Sequence, residues 1–169
     1  MKKVAVLIEN RYEEPELIYP YWRLKEDYEV TLVGTEADTE YVGKAGGYKM
    51  KSDIASSDAK ASDFDAVYIP GGFSPDGMRQ SEDTVNFVKE MHEAGKLIGA
   101  ICHGPWVLAE ADILDGVKAT SVKTISTDIK NAGANWVDEE TVVDGNIVTA
   151  RTPEDLPAHI TKFVEELRK

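Results

Sequence analysis

Four short apolar runs decide most of what this chain can fold into: "KVAVLI" (Lys3–Ile8), "EVTLVG" (Glu29–Gly34), "AVYI" (Ala66–Ile69) and "LIGAI" (Leu97–Ile101). The first is near-continuous in apolar residues, the pattern of a strand buried on both faces. Segments with helical spacing separate the runs. Leu17, Ile18, Tyr21 and Leu24 share one face over Glu13–Lys25, where Pro15 suits a first turn and Pro20 predicts a kink. Ser81 is placed to cap a helix carrying Val85, Val88, Met91 and Ala94. Gly104–Ala109 opens another helix, and Thr152–Asp155 starts a last one with Leu156, Ile160, Phe163, Val164 and Leu167 on its apolar face. Residues 41–50, "YVGKAGGYKM", read as an excursion or hairpin, and Val142–Val148 as a hairpin turning at Asp-Gly. Strands alternating with helices predict an α/β fold, a parallel sheet with helices on both faces, as one domain over residues 1–169.

Composition narrows the partners. The formal net charge of −12 argues against DNA or RNA, whose phosphates need Lys and Arg to neutralise them. No apolar run approaches the roughly 20 residues that span a bilayer. The opening "MKKVAVLIEN" is too short for a signal peptide, lacks a cleavage site and reads as the first strand. A single cysteine excludes an internal disulfide and leaves a free thiol, which fits a reducing cytoplasm.

Sites in parallel sheets form at the carboxyl ends of strands. Three loops fall there: Glu9–Glu14 with its carboxylates, Pro70–Gly77 with glycine amides and Asp76, and Cys102–His103 with a thiol and an imidazole. Cys102 lies on the turn between a buried strand and a helix, the place where a nucleophile is held exposed above a sheet. The helix N-terminus behind it favours negative charge, so Cys102 is expected to be largely thiolate at neutral pH. The bland alternative is a buried structural cysteine. The Gly72 and His103 amides are candidate oxyanion donors, while Gly71 has the simpler role of supplying a positive φ in the turn. His92 and His159 have charged neighbours along their helices and read as solvated. Neither zinc-ligand spacing nor a phosphate-binding loop is present, so no cofactor and no metal are inferred.

"AICHGP" (100–105), "IPGGFSPDGMR" (69–79), "NRYEEPELIYPYWRL" (10–24) and "NAGANWVDEETVVDGNIVTARTPEDL" (131–156) together resemble the ThiJ/PfpI family, specifically its PfpI-type intracellular protease branch. The resemblance runs end to end, with the stretches in the family's order. It implies a flavodoxin-like three-layer sandwich, a nucleophile at Cys102 and a neighbouring His103. It places Glu13 where the family has a glutamate beside the thiol, a carboxyl that must be protonated if a thiolate is to sit next to it. It places Asp76 where PfpI-type proteins carry a glutamate that orients the histidine from an adjacent subunit. An aspartate reaches about 1.5 Å less far, roughly one C–C bond. Plain readings exist for both: Glu13 as a first-turn carboxylate favoured by the helix dipole, Asp76 as a turn residue in "SPDG".

The activity implied is thiolate attack on carbonyl carbon, either as an intracellular peptidase or as a glyoxalase or deglycase acting on methylglyoxal-type aldehydes. The alternative from a different class is a redox-sensing thiol protein or chaperone without turnover. The resemblance also implies a homo-oligomer, dimer or hexamer, with sites at the subunit interface. Tyr12, Tyr19, Tyr21, Trp22, Tyr41 and Tyr48 are the aromatics available to such an interface or to the core.

Overall fold

Side chains alternate across a strand, and β1 (Lys3–Ile8) shows what that does to a continuous apolar run. Ala5 and Leu7 join one buried cluster, while Val4, Val6 and Ile8 join another on the opposite face. A sheet built from such strands must be covered twice. The computed structural model describes residues 1–169. After β1 come α1 (Glu14–Lys25), β2 (Glu29–Gly34), the hairpin β3 (Glu40–Val42) and β4 (Lys49–Lys51), β5 (Ile54–Ala55) and β6 (Ala66–Ile69). Then follow α2 (Ser74–Arg79), α3 (Glu82–Glu93), β7 (Leu97–Ile101), α4 (Pro105–Glu110) and β8 (Lys118–Ala119). The chain closes with α5 (Ser126–Asn131), β9 (Asn135–Trp136), β10 (Thr141–Asp144), β11 (Ile147–Ala150) and α6 (Leu156–Arg168).

The central sheet runs β10-β11-β7-β6-β1-β2-β5 and is parallel throughout except for the β10–β11 hairpin. One cluster packs Val67, Ile69, Ile98 and Ala100 under Phe87, Val88 and Met91 of α3 and Val107 and Leu108 of α4. The other packs Tyr68 and Ile101 under Leu17 and Leu24 of α1 and Ile160, Phe163 and Leu167 of α6. The fold is the flavodoxin-like α/β sandwich expected from the sequence.

The strand order reverses between β1 and β6, which opens a crevice at their carboxyl ends, the usual ligand position in open α/β sheets. Here the two loops are tied together. Tyr12 bridges Gly72, and the Phe73 amide donates to the Arg11 carbonyl at 2.9 Å.

Several expectations need correction. The segment read as a loop to Gly77 turns helical at Ser74, so Asp76 stands in the first turn of α2 rather than in a plain turn. Pro20 lies inside α1 as the sequence predicts, and its missing N–H leaves the Glu16 carbonyl without its usual donor. The positive φ belongs to Gly72 (73°), not Gly71. His159 is fully buried rather than solvated, and His92 is half-buried. Ser81 does cap α3 as predicted, accepting from the Thr84 amide.

Candidate active site

Cys102 occupies the turn from β7 into α4 with φ of 62°, a conformation few non-glycine residues adopt. The turn is clamped on both sides. The Cys102 amide donates to the Ala150 carbonyl at 3.1 Å, and its carbonyl accepts from the Val122 amide at 3.0 Å. Gly104 lets the chain enter α4 tightly, because a Cβ there would lie 2.8 Å from the Ile69 and Ile101 carbonyls. The Cys102 sulfur lies 3.5 Å from His103 Nδ1, so the two neighbouring side chains do meet. Trp106, one turn on, packs edge-to-face on the His103 ring at 5.0 Å.

The carboxyl that meets the thiol is Glu16, not Glu13. It lies on the face of α1 that carries Leu17, Pro20 and Leu24 inward, and is fully buried. Its Oε1 accepts from the Gly71 amide at 2.9 Å. Gly71 must be glycine for this, since a Cβ would stand 2.5 Å from Glu16 Oε1 and 2.9 Å from Cys102 Cβ. Burial, then the Glu13 charge, push Glu16 up to about 8, against the pull of the Gly71 amide, Cys102 and Lys44.

Burial also pushes the Cys102 thiol up to about 12, and the Glu16 charge adds to it, while the His103 and Gly72 amides pull it down. The helix N-terminus therefore does not dominate. The expected free thiolate at neutral pH gives way to a buried thiol beside a buried carboxyl, both held protonated chiefly by desolvation. Both candidate oxyanion amides, Gly72 and His103, face the sulfur.

Glu13 is half-buried and ion-paired with Lys44 Nζ at 2.9 Å. Lys44 comes from the β3–β4 hairpin, which is pinned over the site. The Tyr12 hydroxyl donates to the Tyr48 carbonyl at 2.8 Å, and the Lys44 amide donates to the Tyr12 carbonyl at 2.8 Å. Lys44 is a site residue that the sequence reading missed; its only signal was a lysine inside a glycine-rich excursion. His103 is held below its ordinary value by burial and then by the Lys44 charge, with Glu13 opposing, so the imidazole is neutral at pH 7. Asp76 is exposed and lines a cavity of about 340 Å³ with Arg11, Phe73 and Trp106. No hydrogen bond joins it to His103 within the chain.

The model of the DJ-1/PfpI family matches residues 2–166, which include the thiol, the contacting imidazole and the buried carboxyl. The chain belongs to the DJ-1/PfpI family. A protein of Thermococcus kodakarensis named a deglycase is 43% identical over 166 residues, covering 98% of this chain and 99% of that protein. The Pyrococcus furiosus deglycase PfpI is 40% identical over 166 residues, with the same two coverages. Among solved structures, a two-domain Anabaena variabilis protein with DJ-1/ThiJ/PfpI-like and ferritin-like domains aligns with a TM-score of 0.97 at 47% identity. The alignment covers 99% of this chain, which spans 48% of that protein's length. Drosophila melanogaster DJ-1beta aligns with a TM-score of 0.91 at 29% identity, covering 98% of this chain and 90% of the other.

Proposed function

We propose that this DJ-1/PfpI protein is a cysteine-dependent enzyme that adds Cys102 to small reactive aldehydes of the methylglyoxal type. One observation carries the reading: the Cys102 sulfur sits between His103 Nδ1, a buried Glu16 carboxyl and two inward-facing amides. Once Glu16 has lost its proton, transfer of the thiol proton to the Glu16 carboxylate leaves a nucleophilic sulfur beside a protonated Glu16. The sulfur attacks the aldehyde carbon, and the new oxyanion takes hydrogen bonds from the Gly72 and His103 amides. Glu16 then protonates that oxygen to give a hemithioacetal. His103, neutral and in contact, moves a proton from C1 to C2 through an enediol, which leaves a thioester. Water hydrolyses the thioester to lactate and restores the thiol. The sum is methylglyoxal plus water to lactate, with no external oxidant or reductant. The names of the Thermococcus and Pyrococcus relatives support a deglycase-type reaction.

Peptide hydrolysis is the second reading, because a relative in Bacillus subtilis, 48% identical over 158 residues, is named as a candidate cysteine protease. It asks the same sulfur to attack a less electrophilic amide from a partly buried position. A redox-sensing role needs the thiol alone and makes no use of the contacting imidazole. In the proposed assembly the homo-oligomer completes the site: a partner copy brings its Asp76 to His103, which fits an aspartate exposed beside Trp106 and unpaired with His103 in its own chain. Lactate formation from methylglyoxal, measured beside peptide release from a fluorescently labelled protein, tests the choice. Turnover of the aldehyde with no peptide release is expected; the reverse pattern overturns the assignment.

A further inference from the structure

Beneath the thiol, the sheet carries polar atoms that the proposed chemistry does not use. Tyr68 on β6 and His159 on α6 are both fully buried, with ring centroids 5.7 Å apart and planes tilted by 45°. Neither the Tyr68 hydroxyl nor either His159 ring nitrogen has a hydrogen-bond partner in the chain, and the same holds for Glu16 Oε2. Phe163 packs edge-on against Tyr68 at 5.8 Å, and Gly99 pairs with Tyr68 across the β6–β7 ladder. Gly99 has no side chain for a reason: a Cβ there would meet Phe163 at 2.7 Å and Tyr68 at 3.1 Å. Buried polar groups in folded proteins nearly always find a partner, and internal water supplies one where the protein does not.

We propose that Tyr68 and His159 bind an internal water and form a polar floor under the Glu16–Cys102 pair, with Tyr68 as its positioning residue. Cys102 packs against the cluster that holds Tyr68, and burial, then the Glu16 and Cys102 charges, raise the hydroxyl well above its ordinary value, so it stays protonated. An O–H dipole fixed there favours the singly deprotonated pair. The imidazole behind it is neutral, held at about 3 by burial against the opposing pull of Asp155, so it offers one acceptor and one donor to a water. The other groups facing the pair are Glu13, Lys44 and His103, none of which a change at Tyr68 removes.

This inference deepens the reading of the thiol–carboxyl pair but is read from the titration of the thiol, so failure of aldehyde turnover leaves it standing. The test is the rate of Cys102 alkylation by iodoacetamide against pH in the wild type, Tyr68→Phe and His159→Leu. Tyr68→Phe keeps the ring volume. Its midpoint is expected to rise above the wild-type value, lowering the rate at pH 7 by about threefold or more. His159→Leu is expected to shift in the same direction by less. An unchanged midpoint in a natively folded Tyr68→Phe overturns the proposal. If that variant does not fold, a high-resolution crystal structure of the wild type decides: an ordered water within hydrogen-bond distance of both Tyr68 Oη and the His159 ring supports it, and a dry floor overturns it.

Discussion

At the scale of residues, burial outweighs the charges usually invoked for a thiol at a helix start. Glu13, Glu14 and Glu16 all crowd the beginning of α1, yet only Glu16 turns inward. Glu16→Gln is expected to lower kcat/KM for methylglyoxal by about 10²–10⁴-fold, the contribution of a positioned acid–base group. Glu13→Gln breaks a partly exposed ion pair with Lys44 and is expected to cost about fivefold or less. Steady-state kinetics on the two variants separates them. The same buried groups set a pH profile of stability. His159 titrates at 6.5 unfolded and about 3 folded, so the unfolded chain binds the extra proton and stability is lost as pH falls from 6.5 toward 3. Glu16 titrates at 4.5 unfolded and about 8 folded, so the folded chain holds the extra proton and stability is lost as pH rises from 4.5 to 8. The two offset each other between 4.5 and 6.5. Urea unfolding across pH is expected to show His159→Phe losing on the order of 3–5 kcal/mol less than the wild type on acidification. Equal acid sensitivity would contradict a histidine buried neutral.

At the scale of elements, the seating of α6 on the sheet depends on one missing side chain. Gly99→Ala puts a methyl group 2.7 Å from Phe163 and is expected to destabilise the protein by about 1–3 kcal/mol, measured as a lowered urea midpoint. The long elements were legible in the sequence because β1, β6 and β7 are apolar on both faces and α3 and α6 repeat over three turns. The short ones were not. Helices α2 and α5 have six residues each, too few to display an apolar period, so the helix that carries Asp76 read as part of a loop. Cys102 and His103 were legible as strand-turn-helix residues. Glu16 was harder, because the choice among three glutamates needs the exact rotation of α1. Its sole trace was position, beside Leu17 and four residues before Pro20 on the buried face. Lys44 reaches the site through a hairpin anchored by Tyr12, a long-range contact that no local pattern encodes. The state of the thiol was misjudged for the same reason, since desolvation belongs to packing rather than to spacing.

At the scale of the whole molecule, the surface is acidic and carries exposed aromatic groups: Tyr19, Trp22, Tyr48 and Phe73 are each between 39% and 52% exposed, whereas Tyr12 and Tyr41 pack inside. Phe73 stands next to Asp76's helix and under the Arg11 guanidinium, 4.6 Å from its ring centroid. In the proposed assembly this region faces a partner copy. Cys102→Ser and Asp76→Ala chains, each inactive alone, are then expected to recover about a quarter of wild-type activity when mixed equally, because half the dimers are mixed and each holds one intact site. No recovery after demonstrated subunit exchange would rule out a shared site. The central claim is narrower than the assembly: a single sulfur, held by Glu16 and His103, performs the chemistry. The direct measurement is lactate production from methylglyoxal by wild type and Cys102→Ser at matched concentration and native circular dichroism. Steady turnover by the wild type with loss of at least about 10³-fold in the serine variant is expected. Lactate formed at comparable rates by both proteins would contradict it.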